Sequence, residues 1–163
     1  MTFIDDFQEL YRRYAGDIYR FSLFLCGDRV EAEDITAETF ARALTGKKPL
    51  VSSTVKGYLL TIARNLHIES LRRKKDFTGI PVELPDSNLP FEDAMMAKNE
   101  LEDLMLFLQT IPETDRSALL LRVDGLEYSE IARELGISLA SAKVKVHRLR
   151  LKLSKWRSNR ELI

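Results

Sequence analysis

Apolar residues recur at steps of three and four along most of the chain, the spacing that places them on one face of an α-helix. At the N-terminus this pattern predicts a long first helix, whose apolar stripe comprises Phe3, Phe7, Leu10, Tyr14, Ile18, Phe21 and Leu25. Gly27 predicts the end of this helix, and Asp28 and Glu31 have the capping-box spacing that starts another. No stretch alternates apolar and polar residues convincingly, so the pattern argues against β-strands.

Two more helices are predicted in the N-terminal half. The second ends at the segment TGKKP and runs through Ile35, Thr39, Phe40 and Ala43. A loop that contains VSST leads to the third helix. The inner face of this third helix is predicted to comprise Val55, Leu59, Ile62, Leu66 and Leu71.

Residues 76–92, DFTGIPVELPDSNLPFE, interrupt the helical pattern with three prolines and a glycine, and they predict a flexible linker. A coil of this length spans roughly 22 Å, and the fully extended chain reaches about 60 Å. This reach exceeds one turn of DNA, ~34 Å. The expected fold class is all-α, with two small helical domains at residues 1–75 and 93–163.

The pattern beyond the linker resumes with a helix that ends at Pro112 and has an apolar face of Ala97, Leu101, Leu104, Leu108 and Ile111. The segment ETDRSALLLRV predicts another helix, which ends at the turn pair Asp124-Gly125. A short helix, YSEIAREL, follows, with inward residues Ile131, Ala132 and Leu135. Gly136 suits a left-handed turn and Ser138 can cap the next helix, so the layout is that of a helix-turn-helix.

The final helix combines an apolar seam with a cationic surface. The seam repeats about every 3.5 positions and comprises Leu139, Ala142, Val146, Leu149, Leu153 and Trp156. The remaining circumference carries Lys143, Lys145, His147, Arg148, Arg150 and Lys152. At 1.5 Å per residue, the segment 139–157 spans ~28 Å, which is long enough to lie in a DNA major groove.

The charges are balanced in total but sorted along the chain. The 163 residues include 25 Lys or Arg and 25 Asp or Glu, which argues against indiscriminate binding to nucleic acid. Acidic residues gather in 31–38 and 83–103, and basic residues gather in 64–75 and 143–160. This order predicts two contacts with a polyanion, and acidic faces that serve a different partner.

Composition narrows the class of protein further. The single cysteine, Cys26, fits a reducing compartment and a core thiol. No apolar run approaches the ~20 residues that span a bilayer, so we expect a cytoplasmic protein without membrane insertion. His67 and His147 do not suggest a metal site. No nucleophile with a base and an orienting carboxylate is recognisable, so we expect neither a cofactor nor an enzyme.

Three segments in order carry a resemblance to a known family. The first, with its core AEDxxxETF, is YRRYAGDIYRFSLFLCGDRVEAEDITAETFARAL. The second, GYLLTIARNLHIESLRRKK, is similar to WLxxIARNxxxDxxRR, and the third is LQTIPETDRSALLLRVDGLEYSEIARELGISLASAKVKVHRLR. They resemble regions two and four of the extracytoplasmic-function (ECF) sigma factors, a group of the sigma-70-type RNA polymerase initiation factors.

The resemblance implies that region two binds core RNA polymerase. Family members dock this region on the clamp helices of the beta-prime subunit, and the matching residues here are Asp34, Glu38 and Phe40. Region four would contact the beta flap of the same enzyme. The resemblance also implies an anti-sigma factor, which blocks polymerase binding until a signal arrives.

The resemblance assigns the cationic segments to promoter DNA. Region two would open the minus-ten element and hold an unstacked base, with the candidates Lys47, Lys48, Ser52, Ser53, Thr54, Arg64, Asn65, Arg72 and Arg73. Region four would read the minus-thirty-five element, where the family pattern TVKSRLHRAR matches Ser141, Lys143, Lys145, His147, Arg148 and Arg150. This chain departs from that pattern where TVKSR becomes SAKVK, and Glu127 stands where Ser or Thr commonly caps a helix.

Two other classes of protein stay open from the sequence. The segment ISLASAKVKVHRLRLKL also resembles the output domain of LuxR-type response regulators, which would make the chain a free-standing helix-turn-helix regulator. Such regulators carry a separate sensor or receiver, whereas this N-terminal half shows no alternation of strands and helices. The more distant alternative is a helical adaptor that binds only proteins.

Overall fold

The computed structural model describes residues 3–46, 54–78 and 100–161. These ranges contain seven α-helices and no strand, which confirms the all-α prediction. The helices are α1 (Phe3–Cys26), α2 (Arg29–Thr45), α3 (Val55–Thr78), α4 (Glu100–Gln109), α5 (Glu113–Val123), α6 (Tyr128–Leu135) and α7 (Leu139–Glu161). Contacts divide the chain into two compact units, Met1–Ile111 and Pro112–Ile163.

Helices α1, α2 and α3 pack against one another and form the core of the first unit. The stripe predicted for α1 is confirmed in its C-terminal half, where Ile18, Phe21 and Leu25 are buried. Its N-terminal half is less covered, with the half-buried residues Phe7, Leu10 and Tyr14. Phe40 of α2 and Leu59 of α3 complete this core. Burying one such side chain stabilises the fold by about 1.5–3 kcal/mol.

The turn between α1 and α2 forms as the sequence predicts. Gly27 has a φ of 72°, in the left-handed region, and a Cβ at this position would collide with the side chain of Gln109. Asp28 caps α2, because its Oδ1 accepts a hydrogen bond from the backbone N–H of Glu31 at 3.0 Å. The carboxylate of Glu31 faces α3, where it accepts a hydrogen bond from the hydroxyl of Ser70 at 3.0 Å.

Helix α3 is longer than predicted. It begins after Thr54, whose Oγ1 accepts a hydrogen bond from the backbone N–H of Gly57 at 3.0 Å. It continues to Thr78, so residues 76–78, which were predicted to start the linker, belong to the helix. The remainder of that predicted linker, residues 79–92, lies outside the described residues.

The inner face of α3 is also broader than the predicted stripe. Leu59 and Leu66 are buried as predicted, and Ile62 and Leu71 are half-buried. Val55, the first residue of the helix, is exposed, so its predicted place on the inner face was wrong. The buried face further includes Leu60, Ala63 and His67.

Helix α4 packs against α1 within the first unit. The sequence predicts that residues 93–111 belong to the second domain, whereas the described part of this range, residues 100–111, lies in the first unit. Met105 of α4 joins a small apolar cluster with Leu23 and Ala32. The predicted apolar face of α4 is only partly buried, because Leu108 is buried whereas Leu101 is exposed.

Gln109 links α4 to the C-terminal end of α1. The side chain is buried, and its Nε2 donates to the backbone carbonyl oxygens of Leu25 at 3.2 Å and Phe24 at 3.4 Å. Carbonyl groups in the last turn of a helix have no partner within the helix. The amide of Gln109 therefore supplies hydrogen bonds that α1 cannot make by itself.

The second unit is a helix-turn-helix of α6 and α7, with α5 packed against both. Gly136 adopts a left-handed conformation, with φ 66° and ψ 36°, as predicted. The hydroxyl of Ser138 accepts a hydrogen bond from the backbone N–H of Ser141 at 3.0 Å, which confirms the predicted cap of α7. Glu127 precedes α6 and makes no side-chain capping bond.

The seam of α7 is confirmed at its centre. Ala142, Val146 and Leu149 are buried, and the next two seam residues, Leu153 and Trp156, are half-buried. The prediction for Leu139 was wrong, because this side chain is 46% exposed. At 100° per residue Leu139 lies 60° from Ala142 around the helix axis, on the outer side of the seam.

Cys26 behaves as a packed thiol rather than a reactive one. Its Sγ donates to the backbone carbonyl of Asp28 at 3.3 Å, and burial raises the pKa of the thiol to about 11.

Within the described ranges, no three His, Cys, Asp or Glu side chains gather as metal ligands would. No helix there combines the length and apolar character that crossing a bilayer requires.

Candidate nucleic-acid interface

Helix α7 presents a cationic surface opposite its buried seam. Lys143, His147, Arg148 and Arg150 are exposed, as expected for residues outside the seam. The helix carries eight Lys or Arg residues, and its only acidic residue is Glu161 in the last turn. A surface of this charge along a recognition helix suits the phosphate groups of DNA.

Two of the six predicted residues on α7 have structural partners. Nζ of Lys145 lies 2.8 Å from Oδ1 of Asp115 on α5, and its side chain is only 26% exposed. The backbone of Ser141 donates to the cap residue Ser138, and the side chain of Ser141 is half-buried. The ion pair largely neutralises the charge of Lys145, and it links α7 to α5.

The predicted DNA-binding residues on and before α3 also include both exposed residues and residues with structural contacts. Arg72 and Arg73 are exposed near its C-terminal end, and Asn65 is exposed about two turns earlier. Arg64 is half-buried and is not without an interaction partner. Thr54 caps α3, whereas four predicted residues, Lys47, Lys48, Ser52 and Ser53, lie outside the described residues.

The predicted polymerase-binding acids Asp34 and Glu38 are both exposed on α2. They line an open groove of about 710 Å³ between α2 and α3. The groove also has an apolar floor and a cationic rim, which include Ile35, Ala37, Ala41, Leu66, Arg42 and Arg73. The groove therefore offers a partner both carboxylates and apolar surface.

Arg42 organises the charges along this groove. Its guanidinium donates to both carboxylate oxygens of Glu69 on α3, at 3.3 and 3.2 Å, and to Glu38 at 3.2 Å. The hydrogen bond from Arg42 lowers the pKa of Glu69. Glu38 is thus partly paired inside the unit, whereas Asp34 has no ion-pair partner among the described side chains.

The structure corrects the expectation for Phe40. This side chain is 2% exposed, and its ring packs edge-on against Phe7 and Tyr11 at centroid distances of 6.5 and 5.0 Å. A partner could reach Phe40 only by opening the core. We therefore exclude Phe40 from the candidate polymerase surface and retain Asp34 and Glu38.

A charged cluster between α2 and α3 was missed from the sequence. Glu31 accepts hydrogen bonds from Ser70 at 3.0 Å and from Lys74 at 3.4 Å, and its Oε1 lies 3.8 Å from Nδ1 of the buried His67. His67, together with Ser70 and Lys74, lowers the pKa of Glu31 to about 2. Glu31 is about 40 positions from its three partners in sequence, so the spacing of residues gave no indication of their contact.

Comparison with known proteins identifies two regions of the chain. Residues 10–77 match the family model "Sigma-70 region 2", and residues 101–153 match "Sigma-70, region 4". The second model begins within α4, which packs in the first unit. The two matches lie in the order that the sequence motifs indicated.

The chain is similar to named proteins along most of its length. It is 31% identical over 155 residues to the ECF RNA polymerase sigma factor SigE of Mycolicibacterium smegmatis, covering 89% of this chain and 59% of that protein. It is 32% identical over 150 residues to the ECF RNA polymerase sigma factor SigM of Bacillus subtilis, covering 89% and 91%. Thus the chain spans most of SigM but little more than half of SigE.

A solved structure shares the fold. The sigma factor RpoE of Bartonella quintana, in complex with the anti-sigma factor NepR, superimposes with a TM-score of 0.72 at 23% identity. The match covers 92% of this chain and 95% of that one. The two family models and the similarity to SigM show that this chain belongs to the ECF group of the sigma-70 family of RNA polymerase sigma factors.

Proposed function

We propose that this chain binds core RNA polymerase, brings it to promoters, opens the DNA there and so starts transcription. The observation that carries the proposal is the match to proteins named as RNA polymerase sigma factors over 89% of the chain, through both regions. In this role the chain directs an enzyme and catalyses no reaction itself. We place it in the cytoplasm, with the polymerase and the chromosome.

The helix-turn-helix unit is proposed to read the minus-thirty-five element. A recognition helix enters the major groove with its N-terminal turns towards the base edges. Lys143, Arg148 and Arg150 are exposed on α7 and can neutralise phosphates or donate to guanine. Lys145 is proposed to act indirectly, because its ion pair with Asp115 sets how α7 lies on α5.

The first unit is proposed to bind the minus-ten element through α3 and the segment before it. Arg72 and Arg73 supply exposed positive charge for the backbone, and Asn65 can donate to and accept from a base. Opening the duplex costs a few kcal/mol per unstacked base, so these contacts must form mainly with the separated strand. The candidates Lys47, Lys48, Ser52 and Ser53 belong to the same proposal.

The acidic side of the groove between α2 and α3 is proposed to bind core polymerase. Asp34 and Glu38 are exposed there beside the apolar side chains of Ala37 and Ala41. A mixed surface of this kind favours a specific protein over DNA, because carboxylates repel phosphates. The clamp helices of the beta-prime subunit are the proposed partner, with the beta flap as the partner of the second unit.

An anti-sigma factor is a further proposed partner. The structure of RpoE contains such a protein, NepR, bound to a chain of the same fold. By covering the acidic groove, an inhibitor of this class would prevent binding to polymerase.

Run-off transcription on genomic fragments tests the proposed function. Purified chain and core polymerase together should produce transcripts from discrete start sites, because promoter selection requires both. Core polymerase alone should give only weak, scattered initiation. The sites found in this way define the promoters that this chain recognises.

Two results would contradict the proposal. A free-standing regulator would bind a specific DNA site without polymerase and would not add start sites to core enzyme. An adaptor would leave both DNA binding and transcription unchanged. Assays with chain alone, core alone and both together separate these outcomes.

A further inference from the structure

An apolar side chain lies at the centre of the outward face of α7. Val144 is 44% exposed, although valine usually serves the core of a protein. It stands two residues from the buried Ala142 and two from the buried Val146. Two residues correspond to a turn of about 200°, so Val144 points almost directly away from the seam.

Two cationic side chains and a histidine surround Val144. Lys143 precedes it, and His147 and Arg148 lie one turn later on the same side, all of them exposed. No acidic residue occurs in α7 before Glu161. A polyanion that binds these cations would therefore cover Val144 as well, and the valine would lose its contact with water.

The position of Val144 in the helix suits contact with bases. It is the sixth residue of α7, about 7.5 Å along the axis from Leu139, the first residue. Base contacts of recognition helices come from their N-terminal turns. The family pattern TVKSRLHRAR has a serine at this position, which could form a hydrogen bond that valine cannot.

The chemistry of the major groove leaves one good partner for an exposed valine. Hydrogen-bonding groups fill the groove edges of all base pairs, and the C5 methyl of thymine is the apolar exception. Placing Val144 against a donor or acceptor would strip that group of water without replacing its hydrogen bond. Contact with the thymine methyl instead removes two apolar groups from water.

We propose that Val144 is a specificity-determining residue that reads the methyl group of a thymine in the minus-thirty-five element. This inference rests on the proposed function, because it requires α7 to lie in the major groove of a promoter. Beyond that function, the inference names the base that the chain prefers at one promoter position, and the residue that causes the preference. Lys143, His147 and Arg148 would hold the helix at the depth that this contact needs.

Replacing thymine by deoxyuridine tests the contact directly, because it deletes one methyl and keeps base pairing. Each thymine in both strands of the upstream element is replaced in turn, in a promoter found by run-off transcription. The affinity of the complete chain with core polymerase is then measured for each DNA. Burial of one methyl group is worth about 0.8 kcal/mol, so one position should lose about fourfold in affinity.

Variants connect that position to Val144. Val144→Ala should reduce the effect of deoxyuridine to less than about twofold, because its shorter side chain withdraws from the methyl. Alanine is the best helix former, so α7 is preserved. Leu151→Ala is the matched control: Leu151 is also exposed and apolar on α7, but lies seven residues later. This variant should keep the fourfold effect.

Three results would overturn the inference. The first is a wild-type complex that tolerates deoxyuridine at every position, and the second is a Val144→Ala complex that keeps the full loss. Either would leave the sigma-factor function intact, because promoter binding itself would still be seen. A chain that forms no promoter complex on any DNA would contradict both the inference and the proposed function.

Discussion

At the scale of single residues, turns and helix caps depend on near neighbours in the chain, whereas charged contacts depend on how helices pack. Gly27, Asp28, Gly136 and Ser138 all take the turn and cap roles that their residue types indicated. Such roles depend on neighbours within about four positions, which the sequence displays. The surroundings of Glu31 depend instead on the packing of α2 against α3, so no local pattern could indicate them.

Glu31 should make the stability of the first unit depend on pH. Its neighbours lower the pKa of its carboxyl from 4.5 to about 2, so the ionised form stabilises the folded state. This contribution is complete above the unfolded pKa of 4.5 and disappears as the pH falls through about 2. Glu31→Gln should therefore lower the free energy of unfolding by about 2 kcal/mol at pH 7, after allowance for solvent screening.

Urea denaturation of the wild type and the variant at several pH values measures this dependence. The difference between them should shrink as the pH is lowered from 4.5 towards 2. Glu33→Gln is the matched control, because Glu33 is exposed on the same helix and should change stability by less than about 0.5 kcal/mol. A Glu31→Gln effect that stays constant down to pH 3 would contradict the linkage.

At the scale of helices, the spacing of apolar residues and the distribution of charge predicted which residues face outward on α7. They did not predict the contacts of α7 with other helices. The seam identified Lys143, Arg148 and Arg150 as surface residues, and they are exposed. The pairing of Lys145 was not predicted, because it depends on where Asp115 of α5 lies. The association of α4 with α1 was missed for a similar reason, since an apolar face does not specify which helix covers it.

Two neighbouring cations on α7 should differ in what they do. Arg148→Ala should cost about 1–3 kcal/mol in promoter affinity and relax one base position, if its guanidinium meets a base edge. Lys145→Ala should lower the free energy of unfolding by about 1 kcal/mol, because it removes the ion pair with Asp115. Promoter binding across a set of single-base variants and urea denaturation together measure both effects.

The contrast between the two variants distinguishes a residue that contacts DNA from one that stabilises the fold. Arg148→Ala should leave the free energy of unfolding within about 0.5 kcal/mol of the wild type, as for an exposed surface residue. Lys145→Ala should keep the ranking of promoter variants. A change of base preference in Lys145→Ala would show that this lysine reads DNA directly.

At the scale of the whole molecule, the sorting of charge along a neutral chain indicated two kinds of partner. The total of 25 basic and 25 acidic residues concealed a cationic α7 and an acidic α2. Three ordered motifs were sufficient to predict the sigma-factor family, which the comparisons show. The promoter sequence could not be predicted, because base preference depends on side-chain positions in the groove.

Acidic residues are proposed to bind polymerase and cationic residues to bind DNA. The affinity of the chain for core RNA polymerase without DNA, in mild salt and with no inhibitor present, tests this separation most directly. We expect tight binding by the wild type and by a Lys143→Ala, Arg148→Ala variant, because these cations are proposed to contact DNA. An Asp34→Asn, Glu38→Gln variant should bind about tenfold more weakly, because it loses the charges proposed to face the polymerase. Equal loss in both variants, or no binding by the wild type, would contradict the proposed roles of these surfaces.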